Sequence, residues 1–312
     1  CIRDRDLVTG FADERKHCIN KIKENINSGK KYDLVYSESS TMPTILTDPH
    51  HLPLHPFLDW HFFKFCKKNE IPIGLFYRDI YWLFDNYGKD LNPIKKTVAK
   101  LSYRFDLWVY QKTLSLLYLP SLAMRKYIPG VSSSIFSALP PGHSFAKESD
   151  LQKHEALITP LKLFYVGGMS EHYQMHRLFD AVRGLRTVEL TICTRDVEWD
   201  KVRNEYGHLP ENINIVHASG EEMESKLSQA DIAMLFVKPH EYWEFASPVK
   251  LYEYIGFRKP IIASEGTLAG QFVHDNHIGW SVPYESMALK NLLIKITNDI
   301  SLLAPVCQQV KY

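Results

Sequence analysis

Short runs of apolar residues alternate along this chain with longer stretches in which apolar positions recur every three or four residues. The first kind reads as strands: Tyr32 to Glu38, Ile71 to Tyr77, Leu114 to Leu119, Leu161 to Val166, Val188 to Cys193, Ile213 to His217, Ile232 to Val237 and Pro260 to Ala263. The second reads as helices, for example Asp13 to Asn27, Pro93 to Lys112, His172 to Gly184 and Glu221 to Gln229. Strand and helix in alternation predict parallel sheets with covered faces, arranged as two Rossmann-like domains. The series breaks at Ser137 to Thr159, where SALPPGHSF precedes the polar KESDLQKHE. We therefore expect an N-terminal domain over 1–148, a C-terminal domain over 149–295, and a tail over 296–312 that packs back on the N-terminal domain.

The helix read from Pro93 to Lys112 sets Ile94, Val98, Leu101, Phe105 and Trp108 on one face and Lys96, Lys100 and Arg104 along another. Two readings of that stripe stay open at this level. It is the core face of an ordinary helix, or it docks on an anionic lipid surface.

Three strand ends carry chemistry. Tyr165-Val166-Gly167-Gly168-Met169 ends a strand in two glycines, which let a ligand approach the backbone, but it is not GxGxxG, so NAD is disfavoured. Ligands in open parallel sheets sit at the carboxyl ends of the strands. That rule groups Gly167, Gly168, Thr194, Arg195, Ala218 and Ser219 with the helix start at Ser247 around one crevice. In SPVKLYEYIGFRKPIIAS, Ser247 suits an N-cap, Pro248 suits the first helical position, and Val249, Tyr252 and Ile255 keep helical spacing. Free N–H groups at that start favour a phosphate. Lys250 and Glu253, three apart, share a face, one to meet phosphate charge and the other to accept two hydroxyl hydrogen bonds, as a nucleotide diphosphate and its ribose require.

In the first half, Arg78 and Asp79 follow an apolar strand. Asp79 is suited to accept a hydroxyl proton and Arg78 to offset substrate charge; the alternative is an Arg–Asp ion pair that pins the loop. Ser39 and Ser40 follow another strand, either to bond sugar hydroxyls or to form a turn. The tract DPHHLPLHPFLDWH gathers His50, His51, His55 and His61 but matches no zinc spacing; a histidine there, His51, is placed near the acceptor. Asp4-Arg5-Asp6 is a DxD string at a charged terminus and is read as chance. No metal site is expected.

Composition narrows the class. With 312 residues the chain has room for about two domains. It contains no apolar run of about eighteen residues, and its first residues are charged where a signal peptide is apolar. The chain lacks an initiator Met, so its N-terminal part is expected to be incomplete. Five scattered cysteines without a CxxC pair fit a reduced, cytoplasmic protein. The net charge of +1, without a dense basic stripe, argues against nucleic acid. Residues 1 to 150 carry 21 basic against 16 acidic side chains, hence +5, and the remainder carries −4, which points any anionic surface or substrate to the first half.

The motif SPVKLYEYIGFRKPIIAS, with FYVGG and IAMLFVK before it, resembles the donor-binding half of GT-B glycosyltransferases, specifically the large family four. The likeness covers residues 161 to about 283. It implies two Rossmann-like domains facing across a cleft, a ribose held by Glu253, and a diphosphate facing Gly167, Gly168 and the helix start from Ser247 to Lys250. It further implies sugar transfer from a nucleotide diphosphate donor, a UDP-sugar, to a hydroxyl of a saccharide or lipid-linked acceptor. Retention of anomeric configuration and no covalent nucleophile are implied as well, and a helix start with Lys250 serves the leaving diphosphate without a metal. The pattern departs from the family twice. GGMSEHYQMHR lacks the Arg and Lys expected near Gly168, Arg177 coming nine residues on, and the position eight before Glu253 is Phe245, with Glu244 one residue off. Lys250 is therefore expected to take over the phosphate charge. A nucleotide-sugar 2-epimerase of the same fold and a non-catalytic partner subunit are the alternatives.

Overall fold

All eight expected strands form, and they are joined by two that the sequence pattern does not announce. The computed structural model describes residues 5–85, 87–89, 91–146, 160–169 and 173–310. The chain divides into two units, Cys1–Pro140 and Pro141–Tyr312. The boundary expected at 148/149 lies outside the described residues, as do Asp4 and His172, the latter the expected start of a helix.

In the first unit β1 (Val35–Glu38), β2 (Ile73–Phe76), β3 (Leu116–Leu119) and β4 (Phe136–Ala138) form one parallel sheet in that order. Register pairs Val35 with Ile73, Gly74 with Leu116 and Leu117 with Phe136. Short β4 overlaps the start of the segment read as a linker. Burial alternates along the strands. Ile73, Leu75, Leu117 and Leu119 are buried, whereas Tyr36 and Leu116 on the other face are exposed. The expectation of two covered faces thus fails in this unit. Its helices, α1 (Ala12–Asn27), α2 (Leu58–Lys68) and α3 (Pro93–Thr113), include buried Ile19, Phe62, Phe63, Leu107 and Tyr110.

Asn92 caps α3 by accepting from the Ile94 N–H at 2.9 Å, and Pro93 occupies the first position. The helix then turns its less apolar side inward. Ala99, Ser102, Tyr103, Asp106, Leu107, Val109, Tyr110 and Thr113 are buried, while Ile94, Val98, Leu101 and Trp108 are exposed. The core-helix reading of the stripe is therefore wrong. Polar tethers decide the orientation: Asp106 accepts from the Thr44 N–H at 2.8 Å, Tyr103 donates to the Thr41 carbonyl at 2.6 Å, and its ring stacks 4.9 Å from Trp82. Turning the helix over would strand these groups without partners, at about 1–3 kcal/mol each.

The second unit is a six-stranded parallel sheet in the order β10-β9-β8-β5-β6-β7. Its strands are β5 (Leu161–Val166), β6 (Val188–Cys193), β7 (Ile213–Val216), β8 (Ile232–Leu235), β9 (Ile261–Ser264) and β10 (Gly279–Val282). Between them run α4 (His176–Val182), α5 (Asp196–Tyr206), α6 (Gly220–Ser228), α7 (Val249–Gly256) and α8 (Leu268–Asp275), followed by α9 (Ser286–Asn298) and α10 (Leu303–Gln309). Core clusters form on both faces. One is built around Leu163, Tyr165, Phe179 and Leu289, the other around Phe164, Leu251, Tyr254 and Val273. Within the segment expected as a tail, Leu303 joins the first cluster and Val310 the second. From β5 the chain winds outward through β6 and β7, then returns to lay β8, β9 and β10 on the other side. The β5–β8 pair is thus the topological switch point, where a doubly wound sheet opens a crevice at its carboxyl end.

Candidate functional site

Two segments leave the sheet at that switch point, the loop Gly167-Gly168-Met169 after β5 and helix α7 after β8. Tyr254 fixes them to each other. Its hydroxyl accepts from the Val166 N–H at 3.0 Å, and its ring is buried together with Leu251. With Leu251 and Tyr254 inward, Lys250 and Glu253 fall on the partly exposed side of α7.

Lys250 reaches back over the loop. Its ammonium donates to the Tyr165 hydroxyl at 2.9 Å and lies 4.5 Å and 4.4 Å from the ring centres of Tyr165 and Tyr173. Tyr165 in turn donates to the Gly168 carbonyl at 2.8 Å, so ammonium, phenol and loop form one chain of hydrogen bonds. Burial lowers the Lys250 pKa to about 7, and Glu253 and Glu198 act in the opposite direction. Gly167 has φ +145, and a Cβ there would overlap the Lys250 ammonium. A side chain at Gly167 would push the ammonium aside, and φ +145 is an angle that residues with a side chain rarely adopt.

Glu198, on α5, closes the other side of the loop. One carboxylate oxygen accepts from the Met169 N–H at 2.9 Å and lies 2.9 Å from where a Cβ on Gly168 would stand, and the other lies 3.1 Å from the Arg195 guanidinium. Arg195 itself is largely exposed at the end of β6. Beside it the buried Thr194 hydroxyl has no hydrogen-bond partner among the described residues, while the Thr194 carbonyl contacts His217 at 2.8 Å. Tyr173, Leu235, Val237, Trp243, Pro248 and Lys250 line a pocket at this point, and Tyr173 meets Trp243 edge to face at 5.1 Å.

Ser247 does not cap the helix. Pro248 holds the capping position in an extended conformation, the helix starts at Val249, and the Ser247 hydroxyl pairs instead with the Tyr252 hydroxyl at 2.9 Å. Lys259, also within the motif, lies away from this site: it is buried, with its ammonium on the Ser228 and Ala230 carbonyls at 2.6 Å and 2.7 Å. Tyr165, Tyr173 and Glu198 were not singled out from sequence. Tyr165 alone left a trace, a polar-tipped residue near the end of an apolar strand.

In the first unit Arg78 and Asp79 follow β2 as expected. Arg78 pairs with Glu38 at 2.9 Å, and Asp79 accepts from the Tyr81 N–H at 2.9 Å. Ser39, Ser40 and His51 make local contacts. Ser39 accepts from the Arg78 N–H at 3.1 Å, Ser40 from the Met42 N–H at 3.2 Å, and His51 Nδ1 lies 3.1 Å from the Leu46 carbonyl. Elsewhere in the histidine tract, His50 faces Asp48 at 3.8 Å and His55 faces Asp13 at 3.6 Å. Asp6, from the DxD string, pairs with Lys30 at 2.9 Å. Among the described residues no three His, Cys, Asp or Glu side chains gather as metal ligands, Cys18, Cys66 and Cys193 are free thiols, and no helix is long and apolar enough to cross a membrane.

No family model and no curated protein sequence matches the chain. Solved structures do. HepE of Anabaena in complex with UDP superposes with a TM-score of 0.64 at 16% identity, over 94% of this chain and 76% of that one. Sucrose-phosphate synthase of Thermosynechococcus elongatus gives 0.58 at 13% identity, over 99% and 81% of the two chains. A glycosyltransferase of Rickettsia africae gives 0.58 at 11% identity, over 98% and 79%. These likenesses show the fold, the paired Rossmann-like units of the GT-B class.

Proposed function

We propose that this protein is a glycosyltransferase that moves a sugar from a nucleoside diphosphate donor, a UDP-sugar, to a hydroxyl of a saccharide or lipid-linked acceptor. The observation that carries the reading is the Lys250 ammonium, held over Gly167 between two aromatic rings at the switch point of the second sheet. A cation kept there against burial is prepared for an anion. Glu253, one helical turn on, accepts hydrogen bonds from the two ribose hydroxyls, and Lys250 receives the diphosphate beside the glycine loop. Crystals of HepE hold UDP and UDP-glucose, which supports a UDP-linked donor.

In the reaction the acceptor oxygen forms a bond to the anomeric carbon of the sugar as the bond from that carbon to the diphosphate breaks. The diphosphate leaves with the electron pair, and the hydroxyl proton passes to its departing oxygen, an arrangement that retains the anomeric configuration. Lys250 stabilises the charge that develops on the leaving group. In the first unit Asp79, at the carboxyl end of β2 and steadied by the Tyr81 N–H, accepts a hydrogen bond from the acceptor, and Arg78 offsets charge beside it. The test is thermal protection and turnover across UDP-, GDP- and dTDP-sugars. A shift with uridine donors alone, with sugar release or transfer, supports the proposal; no response to any nucleotide refutes it.

A further inference from the structure

We propose that the outward face of α3, with the aromatic start of α2 beside it, docks on an anionic lipid surface. The stripe that the sequence makes apolar is the one the fold leaves outside. Ile94 is 74% exposed, Leu101 57% and Trp108 46%. The patch continues onto α2 and the turn before it, because Trp108 lies 4.7 Å from Trp60, and Phe105 lies 6.0 Å from Phe57. Exposed aromatic and aliphatic side chains on a helix whose other side packs on α2 and the Thr44–Leu46 turn are the face of an interfacial helix.

Charge names the occupant. Helices α2 and α3 carry seven lysines, Lys64, Lys67, Lys68, Lys95, Lys96, Lys100 and Lys112, and one arginine, Arg104. Their only acidic residues are Asp59 and Asp106. Both are turned away from the surface, Asp59 into an ion pair with Arg15 at 3.3 Å and Asp106 onto the Thr44 N–H. The outward charges of these two helices are therefore all basic, with exposed Asp13, which faces His55 at 3.6 Å, the acidic neighbour at the turn before α2. Protein interfaces are depleted in lysine at their centres, whereas a lysine fringe around tryptophan and leucine matches a bilayer with acidic headgroups. Lys64 lies 5.9 Å from the Trp60 ring, so cation and aromatic sit at one level.

Sedimentation of the full chain with vesicles tests this without reference to any donor. With an equal mixture of phosphatidylcholine and phosphatidylglycerol the protein is expected to pellet, with phosphatidylcholine alone to stay in solution, and with added salt to be released. Reversing Lys95, Lys96 and Lys100 together to Glu is expected to weaken the binding by at least about two orders of magnitude. Leu101→Ser with Trp108→Ala, which leaves every charge in place, is expected to weaken it as well; circular dichroism establishes that both variants fold. No pelleting with the mixed vesicles, equal pelleting with both kinds, or full binding by either folded variant overturns the proposal.

Discussion

The ammonium of Lys250 occupies the space in which Gly167 would carry a side chain, and each residue explains the other. A lysine this enclosed needs partners that hold it in place, and it has the Tyr165 hydroxyl and two ring faces in place of a carboxylate salt bridge to a neighbour. Gly167→Ala adds both a clash and an unfavourable backbone angle at φ +145. It is expected to cost about 1–3 kcal/mol of stability and to abolish UDP binding, as read from urea midpoints and calorimetry.

The lowered pKa of Lys250 gives donor binding a pH dependence of defined sign. Burial holds the free ammonium near neutrality, and a diphosphate favours its charged form, so above about pH 7 binding takes up a proton. UDP affinity is expected to weaken as pH rises from about 7 to about 9, by up to about tenfold per pH unit. The measured heat should track the ionisation enthalpy of the buffer, and in Lys250→Met both dependences should vanish.

Glu198 holds the Met169 N–H that an incoming anion needs, and it does so with a negative charge. Glu198→Gln keeps an acceptor for that amide and removes the repulsion. A gain of a few-fold in UDP affinity is expected; a loss shows that Glu198 acts by positioning the loop.

Asp79→Asn should leave the fold and UDP affinity unchanged and lower turnover by about one to two orders of magnitude, the range for loss of a charge-assisted hydrogen bond that orients the acceptor hydroxyl. Full turnover in a folded Asp79→Asn removes this residue from the reaction.

Asp106 supplies a stability signature apart from catalysis. Burial raises its carboxyl from 3.8 to about 7, against the hydrogen bonds from Thr44. Between about pH 4 and pH 7 the folded chain holds this proton and the unfolded chain releases it, so raising the pH through that window lowers stability, by about 4 kcal/mol at most. Asp106→Asn keeps an acceptor for Thr44 and is expected to flatten that part of the pH–stability curve.

Most strands and the two sides of α7 were legible in the sequence because both are local. An apolar run between turns reports its own strand, and the spacing of Lys250, Leu251, Glu253 and Tyr254 reports which sides of α7 face in and out. The orientation of α3 was not legible, because it is decided by Asp106 and Tyr103 finding backbone partners 62 residues away. The same holds for the lysine's surroundings. Tyr165 is 85 residues from Lys250, and Glu198 is 29 residues from the loop that it closes. Ser247 was misplaced as a cap since nothing local discloses its pairing with Tyr252. Strand β4 has only three residues, and β10 reads GWSV, whose glycine and serine leave no apolar run to stand out.

Calorimetric titration of UDP into the wild-type chain and into Lys250→Met at neutral pH tests the central claim most directly. Replacing this half-buried cation by an apolar side chain of similar length should leave the fold intact. The account predicts saturable binding to the wild type and a loss of at least about tenfold in the variant, the loss of one charge-assisted contact. Absence of binding to the wild type, or equal affinity in the two proteins, contradicts it.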